Sequence, residues 1–157
     1  MAKEIIYLGS DHAGFKMKNA IARHLKKLGF KVHDDGPAVY NPDDDYPDYA
    51  LKVCKNVISH KARGILICGS GQGMDIAANK VPGIYASIAW NKESAIVAKE
   101  HDNVNVLCLA SRLTKPQLAK DIVDRWLKLP FSKEPRYARR IGKVRIIERS
   151  YLKSSSG

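Results

Sequence analysis

The sequence contains no apolar run that approaches the roughly 20 residues needed to cross a bilayer, and its N-terminus shows no signal-peptide pattern. Cysteine is scarce: there are three in 157 residues, and none has metal-ligand spacing. An odd, sparse set of cysteines argues against a disulfide framework and in favour of a reducing compartment. These absences predict a cytoplasmic protein that does not bind membranes.

Acidic residues are also few, because 16 Asp and Glu accompany 27 Lys and Arg and leave a net charge of +11. Residues 132–157 alone carry +6 of that charge. A positive net charge favours anionic partners, which are nucleic acids, membrane surfaces or phosphorylated small molecules. Only Tyr137 and Tyr151 interleave with the basic residues of this segment. Two aromatic rings are too few for a base-stacking surface, so we expect a phosphorylated ligand and no nucleic acid.

Short apolar runs alternate with segments of helical period along the chain. The runs predict five strands, at about 4–8, 30–33, 64–68, 84–89 and 104–109. This alternation indicates an α/β fold with one domain over residues 1–150: a doubly wound, five-stranded parallel sheet (Rossmann-like) with helices on both faces. Asp48 and Thr114 are predicted to cap the second and fifth helices. A basic helix is expected over about 134–148, and residues 151–157 are expected to form a flexible tail.

The third predicted strand ends in a glycine-rich turn. Cys68 is followed by Gly-Ser-Gly-Gln-Gly over 69–73, and a short helix comes next. Such a turn exposes backbone N–H groups and predicts a cradle for an oxyanion or a sugar oxygen, whereas its spacing fits neither a dinucleotide fingerprint nor a P-loop. Cysteines at helix N-termini are often reactive. Cys68 is therefore a candidate base or nucleophile, the alternative being a buried core cysteine.

Two histidines and a carboxylate lie at the ends of other predicted strands and helices. Asp11 and His12 come directly after the first strand, where the carboxylate either orients a histidine or caps the next helix. His101 lies at the end of the fourth helix, a position that is also common for a capping histidine.

Arginines supply candidate phosphate ligands. Arg136 and Arg140 are four residues apart on the last helix and so share one face. Paired guanidinium groups make bidentate contacts to a phosphate. Arg112 follows the fifth strand and can join them.

These motifs, in this order, resemble those of type B ribose-5-phosphate isomerases, whose wider family includes galactose-6-phosphate and allose-6-phosphate isomerases. The set consists of GSDHAG at 9–14, DYPDYA at 45–50, ICGSGQG at 67–73, IAANK at 76–80, His101 with Asn105, and Arg136 with Arg140. The resemblance runs from about residue 5 to about residue 148.

The resemblance implies an aldose–ketose isomerase, without metal or organic cofactor, that interconverts ribose 5-phosphate and ribulose 5-phosphate through an enediolate. Cys68 would move the proton, the 69–73 turn with Ser70 would hold the oxyanion, and His101 with Asp11 would open the sugar ring. The implied substrate-binding residues are His12, Tyr46, Gly69, Gly71, Gly73, Asp102, Arg112, Arg136 and Arg140. The family's members are homodimers or tetramers whose sites combine two subunits.

Three positions depart from the family pattern. Asp102 stands where Asn is usual, Tyr137 where His is frequent, and Ser70 where Thr is common. One branch of the family replaces the cysteine by a later glutamate, and that later position here is Met74. The departures leave open a hexose 6-phosphate as the alternative substrate. A non-catalytic phosphate- or RNA-binding module is a further alternative, although it gives Cys68 no purpose.

Overall fold

The computed structural model describes residues 4–154. Its strands are β1 (Ile5–Ser10), β2 (Lys31–Asp34), β3 (Arg63–Cys68), β4 (Ala86–Ile88) and β5 (Val106–Ala110). Its helices are α1 (Phe15–Lys27), α2 (Tyr46–His60), α3 (Gln72–Ala78), α4 (Lys92–Glu100), α5 (Pro116–Lys128) and α6 (Pro135–Ser154). The strands pair in parallel in the order β2-β1-β3-β5-β4. The predicted five-stranded parallel α/β sheet is confirmed.

Both faces of the sheet are covered by helices. On β3, Ile65 and Ile67 point to the face that packs α1, α4 and α5. Leu66 and Cys68 point to the opposite face, which packs α2 and α3. Strands buried on two sides need apolar residues at successive positions, which explains the continuous apolar run that predicted β3.

The chain reverses its direction of winding between β1 and β3. These strands are neighbours in the sheet, but the helix that follows β1 packs on one face and the helix that follows β3 packs on the other. The two connections therefore diverge and leave a crevice beyond the carboxyl ends of the strands, the usual ligand position in doubly wound sheets.

Two helices begin elsewhere than their predicted caps. α2 begins at Tyr46 after Asp45, not at Asp48, and α5 begins at Pro116 after Lys115. Thr114 caps nothing: its hydroxyl is buried without a hydrogen-bond partner. Each helix carries a proline in its first turn, where the missing N–H has no cost. The caps at Asp48 and Thr114 were thus wrong predictions, and proline was the better signal.

The basic last helix is longer than predicted. α6 runs to Ser154, so residues 151–154 are helical although the sequence placed them in a tail; residues 155–157 lie outside the described part. α6 buries Tyr137 and Ile141 and leaves Ile146, Ile147 and Tyr151 more than half exposed, at 61%, 58% and 74%. Over residues 4–154, no helix combines the length and the apolar character that crossing a membrane requires.

Candidate active site

Cys68 ends β3 with its side chain at the head of the glycine-rich turn. The residue is 5% exposed, and its Sγ accepts a hydrogen bond of 3.1 Å from the backbone N–H of Gly71. Gly71 has a left-handed φ of +77° directly before α3, a conformation that suits glycine. The turn therefore holds the sulfur on a backbone donor at the N-terminus of a helix.

Ser70 forms the tip of the same turn. Its Oγ accepts a hydrogen bond of 3.3 Å from the backbone N–H of Gln72, which leaves the hydroxyl hydrogen free to point into the cleft. The oxyanion cradle that the sequence predicted thus has one side-chain donor besides its backbone groups.

Asp11 and His12 directly follow the carboxyl end of β1 and reach the same site. The buried carboxylate of Asp11 accepts a bond of 3.0 Å from the N–H of Gly14, which fixes the turn that leads into α1. Gly14 passes so close to β3 that a Cβ there would lie 2.3 Å from the carbonyl oxygen of Ile67. Any side chain at residue 14 would push this turn away from Cys68, and this explains the glycine.

His12 is oriented by Asp44, a residue that the sequence analysis did not single out. Asp44 Oδ1 accepts bonds from both the backbone N–H and the ring Nδ1 of His12, at 2.9 and 2.8 Å. Because the carboxylate is an acceptor, Nδ1 carries the hydrogen. The pKa of the neighbouring Tyr49 phenol is raised, first by burial and then by the charge of Asp44. The only sequence signal for Asp44 was its place in a polar loop too long for a turn.

Two glycines of the turn make room for larger side chains. A Cβ on Gly73 would lie 2.8 Å from Cζ of Tyr46, and a Cβ on Gly69 would lie 3.0 Å from a guanidinium nitrogen of Arg112. Arg112 also donates its backbone N–H to the carbonyl of Gly69, at 3.0 Å. The absence of side chains at these glycines lets a phenol ring and a guanidinium lie flat on the turn.

Most of the predicted site residues thus line one cleft, with a volume of about 200 Å³. Its walls are Asp11, His12, Ala13, Tyr46, Cys68, Gly69, Ser70, Gly73 and Arg112. Gly71 does not line the cleft, but its backbone N–H donates to the sulfur of Cys68. The cleft presents a thiol, backbone donors and a guanidinium within one small space.

The remaining predicted residues form a separate cluster around Tyr137. The ring of His101 stacks on the phenol of Tyr137, with centroids 4.1 Å apart. The guanidinium carbons of Arg136 and Arg140 lie 5.0 and 6.0 Å from the centre of the same phenol, and Asp102 follows His101 on the exposed surface. The sequence analysis assigned Tyr137 no role in the site, yet its ring is the centre of this group.

The two groups lie at opposite ends of the strands. We call the side of the sheet at which the parallel strands begin the amino edge, and the side at which they end the carboxyl edge. In a parallel sheet each connecting helix runs back from the carboxyl edge to the amino edge. His101 directly follows α4 as its C-cap, shortly before β5 begins, so it lies at the amino edge, whereas Cys68 lies at the carboxyl edge. Within one chain, His101, Arg136 and Arg140 therefore do not join the cleft that contains Cys68.

The chain is similar to known proteins along most of its length. The sequence profile of the family described as Ribose/Galactose Isomerase matches residues 6–144. A probable ribose-5-phosphate isomerase B of Mycoplasma pneumoniae is 41% identical over 145 residues, which is 92% of this chain and 95% of that protein. The ribose-5-phosphate isomerase B of Mycobacterium tuberculosis is 38% identical over 93% of this chain and 91% of its own length.

Solved structures show the same likeness in three dimensions. Ribose-5-phosphate isomerase B of Clostridium thermocellum superposes with a TM-score of 0.90 at 47% identity, over 94% of this chain and 99% of that one. The enzyme of Mycoplasma genitalium with bound ribulose 5-phosphate gives a TM-score of 0.90 at 41% identity, over 95% and 99% of the two chains.

Proposed function

The chain belongs to the ribose/galactose isomerase family, and from this premise we propose that it interconverts ribose 5-phosphate and ribulose 5-phosphate without a cofactor. The observation that carries the proposal is the position of the Cys68 sulfur, which lies on the N–H of Gly71 in the cleft that also contains Arg112. A base beside backbone donors is the arrangement that proton transfer next to a carbonyl requires.

In the proposed step, Cys68 acts as the base. Its sulfur takes the proton from C2 of the open-chain aldose, the electron pair of the C–H bond forms the C1–C2 double bond, and the carbonyl oxygen O1 becomes an oxyanion. Backbone N–H groups of the 69–73 turn and the Ser70 hydroxyl stabilise that charge. A proton then moves from O2 to O1, and the thiol returns its proton to C1, which gives the ketose.

We propose that the complete site combines two copies of the chain in a homodimer or tetramer. His101, paired with Asp11 for ring opening, and the phosphate-binding Arg136 and Arg140 would come from the second copy. This accounts for their position at the edge of the sheet opposite Cys68. The apolar side chains that α6 leaves exposed are consistent with an interface along this helix.

His12 and Arg112 would contact the phosphate from the cleft itself, with Tyr46 lining the pocket and Asp102 contacting the sugar hydroxyls from the second copy. A dianion held by several cations fixes the substrate at the end remote from the reacting carbons, which orients C1 and C2 against the thiol. The three buried cysteines are unpaired, as befits the reducing cytoplasm where we expect the protein to act.

The decisive experiment measures kcat/KM without added metal for ribose 5-phosphate, allose 6-phosphate and galactose 6-phosphate. We expect ribose 5-phosphate to be preferred. A preference for either hexose phosphate would replace the pentose assignment, and folded protein inactive on all three would overturn the isomerase proposal. In that last case, steeply salt-dependent RNA binding would identify the binding-module alternative.

The role of Cys68 has a matched control within the chain. Cys68→Ala should abolish turnover while phosphate binding is retained. Cys54→Ala removes an equally buried thiol that lies in the core and outside the cleft, and it should leave kcat nearly unchanged. Retained activity in Cys68→Ala would disprove the base assignment.

A further inference from the structure

A second cleft lies at the amino edge of the sheet. It has a volume of about 540 Å³ and lies between the end of α2, the first residue of β3, the last turn of α4 and the segment after α5. It shares no residue with the cleft that contains Cys68. It also contains none of His101, Asp102, Arg136 and Arg140, so no residue to which the proposed isomerisation assigns a role lines this cleft.

The charged lining of this second cleft is mostly cationic. Lys61, Arg63 and Lys99 contribute positive charges, and among the described residues only Glu4 contributes a carboxylate. Arg63 already has its partners: its Nε donates to Glu4 at 2.5 Å and its Nη1 donates to the carbonyl of Leu127 at 3.0 Å. Glu4 is thus in direct contact with Arg63, and within residues 4–154 Lys61 and Lys99 form no ion pair with a carboxylate.

Lys99 is held in the cleft in a half-buried position. Its Nζ donates to the side-chain oxygen of Asn103 at 3.0 Å, which is a neutral acceptor. Within residues 4–154 the ammonium forms no ion pair, and the charge of Glu4 has the smallest effect on its pKa, in the upward direction. The pKa of Lys99 is lowered, first by burial and then by the charge of Arg63. An anion beside its ammonium group would reverse both effects, since it replaces lost solvation and offsets the second cation.

Apart from Asn105, the uncharged residues that line the cleft are apolar. Ile58 borders the cleft from α2, and Leu129 and Phe131 border it from the segment after α5. A bare inorganic anion would contact only the charged part of this lining. A ligand with a dianionic head and an apolar body would match both parts, because two ammonium groups that form no ion pair within residues 4–154 can balance the two charges of a phosphate monoester.

We propose that the amino-edge cleft is a second anion-binding site that takes a small phosphomonoester with an apolar group. Lys61 and Lys99 bind the phosphate, and Leu129 and Phe131 pack against the organic part. Arg63, fixed by Glu4, completes the positive field without serving as the main ligand.

The test titrates the full chain with phenyl phosphate and follows the Nε–H resonance of Arg63 by NMR. This group lies in the amino-edge cleft and is remote from Cys68, so its shift reports this site whether or not the protein isomerises sugars. We expect a saturable shift, weaker binding of inorganic phosphate, which lacks the apolar group, and weaker binding of benzoate, which carries one charge.

Matched lysine variants then locate the ligand. Lys99→Met should weaken the binding reported by Arg63 about tenfold, the typical effect of losing one charge-assisted hydrogen bond. Lys92→Met changes the same residue type at the other end of α4, outside the cleft, and should leave the affinity unchanged. The proposal is overturned if phenyl phosphate leaves the Arg63 resonance unmoved, if Lys99→Met binds as tightly as the unmodified chain, or if benzoate binds equally well.

Discussion

The imidazole of His101 lies flat against the phenol ring of Tyr137, with the two planes 15° from parallel. Two guanidinium groups, from Arg136 and Arg140, approach the same phenol. Tyr137 is only 9% exposed, so its ring is fixed by packing and positions three polar side chains together. A residue that departs from the family pattern thus organises the side chains to which we assign ring opening and phosphate binding.

Removing the Tyr137 ring should impair catalysis more than removing its hydroxyl. Tyr137→Ala deletes the surface on which His101 stacks, and we expect kcat/KM to fall about tenfold, the upper range for one aromatic pair. Tyr137→Phe keeps the ring and loses only the long 3.3 Å contact from Arg136, so its kcat and KM should stay near the original values. Steady-state kinetics on ribose 5-phosphate checks both variants, and an equal loss in the two would contradict a role for the stack.

Asp44 should act on substrate affinity through His12. Asp44→Asn removes the negative charge that holds the Nδ1–H of His12, and a charge-assisted hydrogen bond of this kind is worth about 1.5–3 kcal/mol. We expect KM to rise about tenfold with little change in kcat, because His12 is assigned to phosphate binding and not to proton transfer.

The neighbouring carboxylate provides the control for Asp44. Asp43 is exposed, so Asp43→Asn should leave KM unchanged. A loss confined to kcat in Asp44→Asn would instead place His12 in the chemical step.

The sequence predicted the sheet and the cleft because both depend on local patterns. Apolar runs and helical periods give the strands and helices, and parallel winding then brings residues 11–12, 68–73 and 112 to one edge of the sheet. The stack of His101 on Tyr137 and the hydrogen bonds that His12 donates to Asp44 join residues that are distant in the chain. No periodicity encodes such contacts, so sequence reasoning missed Tyr137 and Asp44 as organisers of the site.

The first residues of α2 and α5 and the length of α6 are the other features that the sequence did not predict correctly. Asp48 and Thr114 have good capping side chains, but Pro47 and Pro116 fix the backbone of the first turn. α6 continues past residue 150 with much of its apolar surface exposed, so helical periodicity of buried residues could not mark its end.

Lys18 should stabilise the fold through an ion pair in which the lysine is buried and the carboxylate is partly exposed. Its side chain is 1% exposed and its Nζ donates to Asp34 at 2.5 Å, which ties α1 to the end of β2, directly before the loop that carries Asp44. Breaking a fully buried pair costs about 3–5 kcal/mol. Asp34 is partly solvated, at 37% exposure, so we expect Lys18→Met to lower the free energy of unfolding by about 2 kcal/mol.

Urea unfolding measures this change, with Lys16→Met as the control. Lys16 is exposed on the same helix, and its substitution should alter the free energy of unfolding by less than about 0.5 kcal/mol. In Lys18→Met, the further change Asp34→Asn should restore part of the loss, because it removes the carboxylate left without its partner. Equal stability of the Lys18 and Lys16 variants would show that the ion pair contributes nothing.

Stability should also fall in alkaline solution because of Cys54. Burial raises the pKa of the Cys54 thiol from 9.0 to about 12, so the folded chain keeps the proton that the unfolded chain releases. The stabilising contribution is therefore complete below pH 9 and is lost as the pH rises from 9 towards 12. Cys108, whose pKa is also raised by burial, adds to the effect in the same direction. Within this window each such thiol contributes a slope that approaches about 1.4 kcal/mol per pH unit.

Urea unfolding at roughly pH 8 and pH 10 measures the alkaline loss in the unmodified chain and in Cys54→Ala. The variant should lose less stability between the two values, by up to about 1.4 kcal/mol, because the titrating thiol is gone. Its stability at the lower pH is reduced by a small cavity, which affects both measurements alike and cancels in the difference. Identical pH dependence in the two proteins would show that Cys54 ionises as readily in the fold as in the unfolded chain.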